Sequence, residues 1–395
     1  MFNYFCGVSC LKRASKWVQC LGFVTIGIIA NIIGPLLPVI RTDININYSQ
    51  GGLLLSGQFV GMLITSIVGG YLMDRTGKRP FMLAGSAMLI IGLLGSMTAK
   101  SFSFLYALNL ITGFGYGIYE VGINALCADS SQENKGSDMN FVHFFYGVGA
   151  IAAPVLAFVC TEYLGSWRYC FGIALIAPVT VGFLLIRNKI EEHRAIREKI
   201  KEAGNNSSNP LRSLFLWTAG LTAFSYVGVE VSTGGWISVY WNTVISGSTI
   251  PASLTATVFW LCLTVGRLFS GKIADRIGLS TYLLAAGFGT MLLSALWSVL
   301  PAGNWTLVIL GLLGLMLSGQ FPTTMALATA HFPGKSGTTA AFISVFAGLS
   351  GFFIPALIGR IADIFSITIL SYSMLALSLL LVIFAYVLRK GSMQA

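Results

Sequence analysis

The chain has 395 residues, of which 55% are apolar and only 10% are Asp, Glu, Lys or Arg, against roughly 25% charged residues in an ordinary soluble domain. So little charge cannot clothe a water-facing surface, which excludes a cytosolic enzyme, a nucleic-acid binder and a disordered chain and leaves lipid as the main solvent. A net charge of +10 would suggest a polyanionic partner in a soluble protein; in a membrane protein its distribution along the chain matters more than its sum.

A helix that crosses ~30 Å of hydrocarbon needs ~20 mostly apolar residues. Twelve stretches qualify, at 17–40, 49–73, 80–99, 102–127, 139–161, 168–187, 213–241, 252–273, 280–299, 304–328, 337–359 and 365–388. All are read as helices, because lipid offers no partner to a free backbone N–H or C=O. The first follows Lys12, Arg13 and Lys16, as a signal sequence would, but it is too long and lacks a small-residue cleavage site. With the N-terminus on the cytoplasmic side, nineteen Lys and Arg fall inside and four (Arg41, Lys100, Arg168 and Arg360) outside, so both termini are expected to be cytoplasmic. Arg267 alone falls within a span. The seven cysteines show no paired spacing and read as small buried hydrophobes, with Cys6 and Cys10 in a polar tail. Sequons at Asn47, Asn205, Asn206 and Asn304 are read as chance.

The longest polar stretch runs from Asn188 to Pro210. It divides the chain into an expected N-terminal six-helix bundle (1–187), a cytoplasmic linker (188–212) and a C-terminal six-helix bundle (213–395). An internal repeat agrees with the division. Span two ends Gly70-Tyr-Leu-Met-Asp74-Arg75-Thr-Gly77-Lys78-Arg79 and span eight ends Gly271-Lys-Ile-Ala-Asp275-Arg276-Ile-Gly278. Both read G-x-x-x-D-R-x-G, offset by 201 residues, which makes span eight the counterpart of span two in a six-plus-six repeat. The second copy has Leu279 and Ser280 where the first has its basic pair.

These residues resemble the signature loop G-x-L-x-D-R-x-G-R/K-R/K of the major facilitator superfamily, matched by Gly70, Leu72, Asp74, Arg75, Gly77, Lys78 and Arg79; Trp167-Arg168 is another dipeptide frequent in that superfamily. The resemblance implies an all-α membrane fold of twelve transmembrane helices in two six-helix bundles related by a pseudo-two-fold axis. Asp74 and Asp275 sit at helix ends close to where span eleven (Ser336, Gly337) and span five (Ser137) begin. A carboxylate facing a helix N-terminus is stabilised by roughly 0.3–1 kcal/mol, so these contacts are expected to hold the cytoplasmic gate shut. The alternative is that the motif residues only make a tight turn and anchor the chain.

A charge at bilayer depth costs at least ~2.5–3.5 kcal/mol, which makes each one a functional candidate. Of fourteen acids, only Glu120 in span four and Glu230 in span seven lie deep in spans. Gly113, Gly117, Glu120 and Asn124 share one helical face. Burial disfavours the charged carboxylate, which suits Glu120 to carrying a proton, or alternatively to packing as a permanently protonated acid. On span five, Asn140, His143, Gly147, Ala150 and Pro154 share a face, and His143 reads equally as a packing donor or as a proton or substrate group. Span seven carries Tyr226, Glu230 and a Gly234-Gly235 pair before Trp236, whose ring suits either a sugar face or the membrane interface; Trp241 reads as an interfacial residue. Gln320 lies beside the break at Pro322 in span ten. Arg267 reads either as a ligand for a substrate anion or as the partner of a gate carboxylate or backbone carbonyl, with pairing favoured.

The patterns around Glu120 and Asn124, around Tyr226, Glu230 and Trp236, and around Ser318 and Pro322 together resemble the fucose permease-like branch, the fucose:proton symporters. In that branch the span-four acid is implicated in proton coupling, a role that the resemblance carries onto Glu120. Fucose permease has an aspartate in span one, where this chain has Asn31. The chain is therefore expected to be a monomeric carrier of the plasma (inner) membrane, not an enzyme, which takes up a sugar or similar small polar solute with protons by rocking two bundles around a central site. Asn31, Asn124, Asn140, His143, Tyr226, Glu230, Trp236 and Gln320 are the expected substrate-binding residues. The expected gating residues are Gly70, Asp74, Arg75, Gly77, Lys78, Arg79, Arg267, Gly271, Asp275, Arg276 and Gly278. No metal, cofactor or nucleic acid is expected, and no nucleotide-binding loop of the G-x-x-x-x-G-K-S/T type is present. Proton-driven efflux of lipophilic or cationic compounds is the alternative, and a non-transporting membrane sensor is a third.

Overall fold

The computed structural model describes residues 10–130, 135–187, 210–245, 248–332 and 336–393. Most of the expected linker, Cys6, and the side chains of Cys10, Asp74, Ser137, Asn140 and Ser336 lie outside the described residues. Among those described, every regular element is helical.

Span one is Cys10–Asn31 followed by Ile33–Asp43; span two is Tyr48–Thr76, span three Lys78–Ser96, span four Phe102–Ser130, span five Lys135–Glu162, and span six Arg168–Ala174 with Ile176–Arg187. After the linker come span seven (Leu214–Val244), span eight (Ala252–Ile277), span nine (Leu279–Val299), span ten (Thr306–Leu317 with Gln320–His331), span eleven (Ser336–Phe365) and span twelve (Ile369–Met393). The three interruptions share a cause. Pro35, Pro178 and Pro322 have no N–H for the carbonyls of Asn31, Ala174 and Ser318, and each helix breaks within a residue of the carbonyl so orphaned.

Eleven of these spans are long and apolar enough, among the described residues, to cross a membrane. Span four is as long as span two, at 29 residues, but falls outside that group. Asn109, Glu120 and Asn124 dilute its apolarity, and the helix least like a lipid-facing span is thus the one that carries the candidate proton site.

The first six spans pack among themselves chiefly through two with four, three with four, and one with five, and the last six through seven with eleven, nine with twelve, and eight with ten. Among the described residues the two sets meet chiefly at three seams, two with eleven, five with eight, and the second part of one with seven, and that part also touches eight. Under the 201-residue repeat, two–eleven and eight–five are the same contact seen twice, as a pseudo-two-fold axis requires.

The repeat recurs in the backbone. The chain between spans two and three, and between spans eight and nine, is a single glycine: Gly77 with φ 87° and ψ 156°, and Gly278 with φ 91° and ψ 136°. A side chain is strained at these angles. Asp74, Arg75, Asp275 and Arg276 accordingly lie in the last helical turns and not in a loop. Arg79 donates from Nε to the carbonyl of Leu185 and from Nη2 to that of Ile186, both at 2.6 Å, placing a cation on the C-terminal carbonyls of span six. Lys78 Nζ lies 3.5 Å from the carbonyl of Ala125. At the far end of the spans, Arg168 reaches Asp43 at 2.9 Å and donates twice to the carbonyl of Ala99, while the Trp167 indole donates to Asp43. The Trp-Arg pair thus ties spans one, three and six together.

Candidate functional site

Midway along the spans, side chains from both halves converge. On span four, Asn124 stands one turn beyond Glu120 and donates from Nδ2 to its carboxylate at 3.3 Å. The Asn124 carbonyl oxygen lies 3.3 Å from His143 Nε2 on span five, and the imidazole packs against Phe23 of span one, with ring centroids 4.4 Å apart and the rings tilted by 43°. Glu120, Asn124 and His143 therefore form one chain of polar contacts across spans four and five. Three residues beyond His143, Tyr146 accepts a hydrogen bond from Asn31 Nδ2 at 3.3 Å; that amide also donates to the carbonyl of Gly27, just before the break in span one.

The other half presents an ion pair. Arg267 Nη2 on span eight lies 3.3 Å from Glu230 Oε1 on span seven, both side chains being largely buried. Arg267 Nε is buried and has no acceptor within hydrogen-bond geometry among the described residues, while the buried hydroxyl of Tyr226, one turn before Glu230, lies against both Glu230 and Arg267. Arg267 Nε is thus a donor of the last six spans held without an acceptor, and a buried donor in that condition is costly unless something transient satisfies it.

The two clusters feel each other's charge. Tyr146 lies within electrostatic range of Glu230, Arg267 and Glu120, His143 within range of Arg267, and Tyr116 within range of Glu120, Tyr146 and Glu230. Tyr116 and Tyr146 were not singled out from the sequence. Their signal was present, Tyr116 one turn before Glu120 and Tyr146 one turn after His143, but tyrosines in an apolar helix read first as packing.

Some expected residues lie elsewhere. Trp236 is fully buried, donates from its indole to the carbonyl of Pro355 at 3.2 Å and packs beside Tyr48, so it belongs to the seam between spans two, seven and eleven. Trp241 is buried too, and donates to the carbonyl of Ile250. Gln320 bonds through Nε2 to Thr290 and to the carbonyl of Met316, both at 3.1 Å, which ties spans nine and ten. Arg267, expected to pair with a gate carboxylate or a backbone carbonyl, instead pairs with Glu230 among the described residues.

The seams between the halves are tight at one end and open at the other. Spans two and eleven run antiparallel with Gly52 against Ala356, Phe59 against Gly351 and Leu63 against Gly348. Continued, that register would bring Gly70 onto span eleven, yet a Cβ at Gly70 would meet no atom of the described residues within 4 Å, and none at Gly271 either. Ile67 and Tyr71 are 71% and 57% exposed. Asp275 and Arg276 are likewise exposed, and Arg75 lies over the ring of Tyr71 at 4.5 Å. At the other end a Cβ on Gly34 of span one would lie 2.8 Å from the Cα of Gly235 on span seven, a backbone approach that only glycine permits. The polar cluster thus lies beneath a seal at the end opposite the glycine motif.

The profile of the Major Facilitator Superfamily matches residues 20–355 and again 246–393. Among curated proteins, Bypass of stop codon protein 6 of Saccharomyces cerevisiae is 27% identical over 298 residues, 69% of this chain and 59% of that protein, so the chain spans less than two thirds of this relative. Sodium-dependent glucose transporter 1 of Homo sapiens is 25% identical over 384 residues, covering 86% of this chain and 72% of that one. Among solved structures, the crystal structure of a D-xylose-proton symporter superposes with a TM-score of 0.79 at 15% identity, over 96% of this chain and 97% of that one, a likeness of fold.

Proposed function

Taking as premise that this chain belongs to the Major Facilitator Superfamily, a family of integral membrane transporters and not of enzymes, we propose that it carries a sugar or similar polyhydroxylated solute together with protons by alternating access. The observation that carries the reading is that the Glu120–Asn124–His143 cluster of one half lies within electrostatic range of the Glu230–Arg267 pair of the other. A sugar ring offers closely spaced hydroxyls, each both donor and acceptor. Arg267 Nε and the Tyr226 hydroxyl would donate to it, while Glu230 and the Asn124 carbonyl would accept from it. A neutral solute suits the site, because Glu230 already neutralises Arg267.

Among the described residues Glu120 has no cationic partner within salt-bridge distance, and the amide of Asn124 donates a hydrogen bond to it. A carboxyl so placed in a low-dielectric interior can be neutral or charged according to which side supplies water, and in this reading the proton it gains and loses is the coupling ion. The glycine-motif end, cytoplasmic by its excess of Lys and Arg, is the open end, so the arrangement described is the state that faces inward. Relatives named for glucose and xylose transport support the solute class.

The test is uptake into proteoliposomes from a panel of sugars under an imposed pH gradient, repeated with Glu120→Gln. Sugar-dependent alkalinisation outside that vanishes in the variant, with solute counterflow preserved, is the expected result. Undiminished accumulation by Glu120→Gln would overturn the coupling role, and movement of cationic dyes without any sugar would overturn the solute class.

A further inference from the structure

The first turn of span two is capped from both halves of the molecule. A helix leaves its first four N–H groups without intrahelical acceptors. Here Asn47 Oδ1 accepts from the Gln50 amide at 2.8 Å, and Gln50 Oε1 accepts from the Asn47 amide at 3.2 Å, a reciprocal capping box. The amides of Tyr48 and Ser49 go instead to one carboxylate on span eleven. Tyr48 N–H donates to Asp363 Oδ1 at 2.8 Å and Ser49 N–H to Asp363 Oδ2 at 2.9 Å, and the Ser49 hydroxyl donates to the same Oδ2. Both oxygens of Asp363 are thereby engaged, by charge-assisted bonds aligned with the positive end of the helix.

The contact sits at the mouth of the sealed seam. Directly below it Gly52 packs on Ala356 and the Trp236 indole bonds to Pro355, while Arg41 lies 3.6 Å over the ring of Tyr48. Asp363 is itself exposed, so water reaches it. If the halves part, the carboxylate and both amides can be rehydrated, and breaking the contact leaves nothing buried and unpaired. A bond set of this kind is strong enough to bias a conformational equilibrium and weak enough to release.

We propose that Asp363 is a detachable helix cap that latches the end opposite the glycine motif: it completes the first turn of span two while the halves are closed there, and lets go when they open. The carboxylate-to-helix-N-terminus device expected of Asp74 and Asp275 is thus present at the other end, built from a residue outside the motif. The latch rests on the rocking of the two halves in the functional reading above, but on neither the solute nor the ion.

Hydrogen exchange followed by mass spectrometry on the full chain in lipid nanodiscs tests it without any solute. In Asp363→Ala the amides of residues 48–50 should exchange about tenfold faster. Faster exchange should also spread to 51–60 and 350–360, and segment 64–76 should become slower as the motif end closes. Acceleration confined to 48–50 would make Asp363 a static cap and overturn the latch, as would exchange equal to wild type. Should Asp363→Ala fail to fold, Asp363→Asn and Ser49→Ala remove the charge and the hydroxyl separately. Each should then give a smaller change with the same pattern, and absence of the distant changes in both would equally overturn it.

Discussion

Arg267 faces Glu230 across spans seven and eight at 3.3 Å through one guanidinium nitrogen, and its Nε stays buried without an acceptor. The contact neutralises both charges while leaving Arg267 free donors, so it is a pair that a polar solute can join without dissolving it. Removing one partner strands the other. Arg267→Gln should destabilise the protein by about 3–5 kcal/mol, the range for breaking a buried pair, whereas Glu230→Gln combined with Arg267→Gln should recover much of that loss. Thermal unfolding in detergent reads the difference, and equal instability of the single and double variants would deny the coupling.

Arg79 caps span six through two carbonyls. Arg79→Ala should cost about 1.5–3 kcal/mol, the worth of hydrogen bonds to a charged group, seen as a lower unfolding temperature. The corresponding position of the second repeat is Ser280, and Ser280→Ala should be nearly silent. A silent Arg79→Ala would mean that the cap contributes nothing beyond what water supplies.

The glycines of the motif should separate into two classes. Gly77 and Gly278 have positive φ with extended ψ, and alanine at either should cost about 1–3 kcal/mol. Gly70 and Gly271 have open space around them, and alanine there should leave the unfolding temperature unchanged. If the motif end closes during transport, Gly70→Val and Gly271→Val should nevertheless slow uptake severalfold. Unimpaired uptake by both valine variants would show that these faces never come together.

Gly34 approaches the backbone of Gly235 too closely for any side chain. Gly34→Val should wedge spans one and seven apart and raise labelling, by a membrane-impermeant thiol reagent, of a cysteine introduced at Leu55, which packs beside Gly235 and is 6% exposed. Labelling unchanged from the Leu55→Cys parent would mean that the seam absorbs the methyl groups elsewhere.

The spans and their pairing across the repeat were legible because lipid enforces a helix wherever about twenty apolar residues run together, and because G-x-x-x-D-R-x-G occurs twice. Glu120 and Asn124 were legible as a pair because both lie on one helix, where spacing fixes neighbours. Partners on different helices were not. Nothing in the spacing tells that Glu230 meets Arg267 37 residues away, or that Trp236 and Gln320 serve the packing of helices. Asp363 escaped notice because an acid near a loop needs no explanation until its partners are seen.

Composition and periodicity alone determined what the chain dissolves in, how often it crosses and which side chains are too polar for lipid, since each of these depends on local residue content. Which end of the molecule is shut, which charges neutralise each other and that Arg267 Nε is left without an acceptor were decided only by the tertiary structure. Those properties belong to contacts between helices far apart in sequence, where a shift of one turn exchanges one neighbour for another.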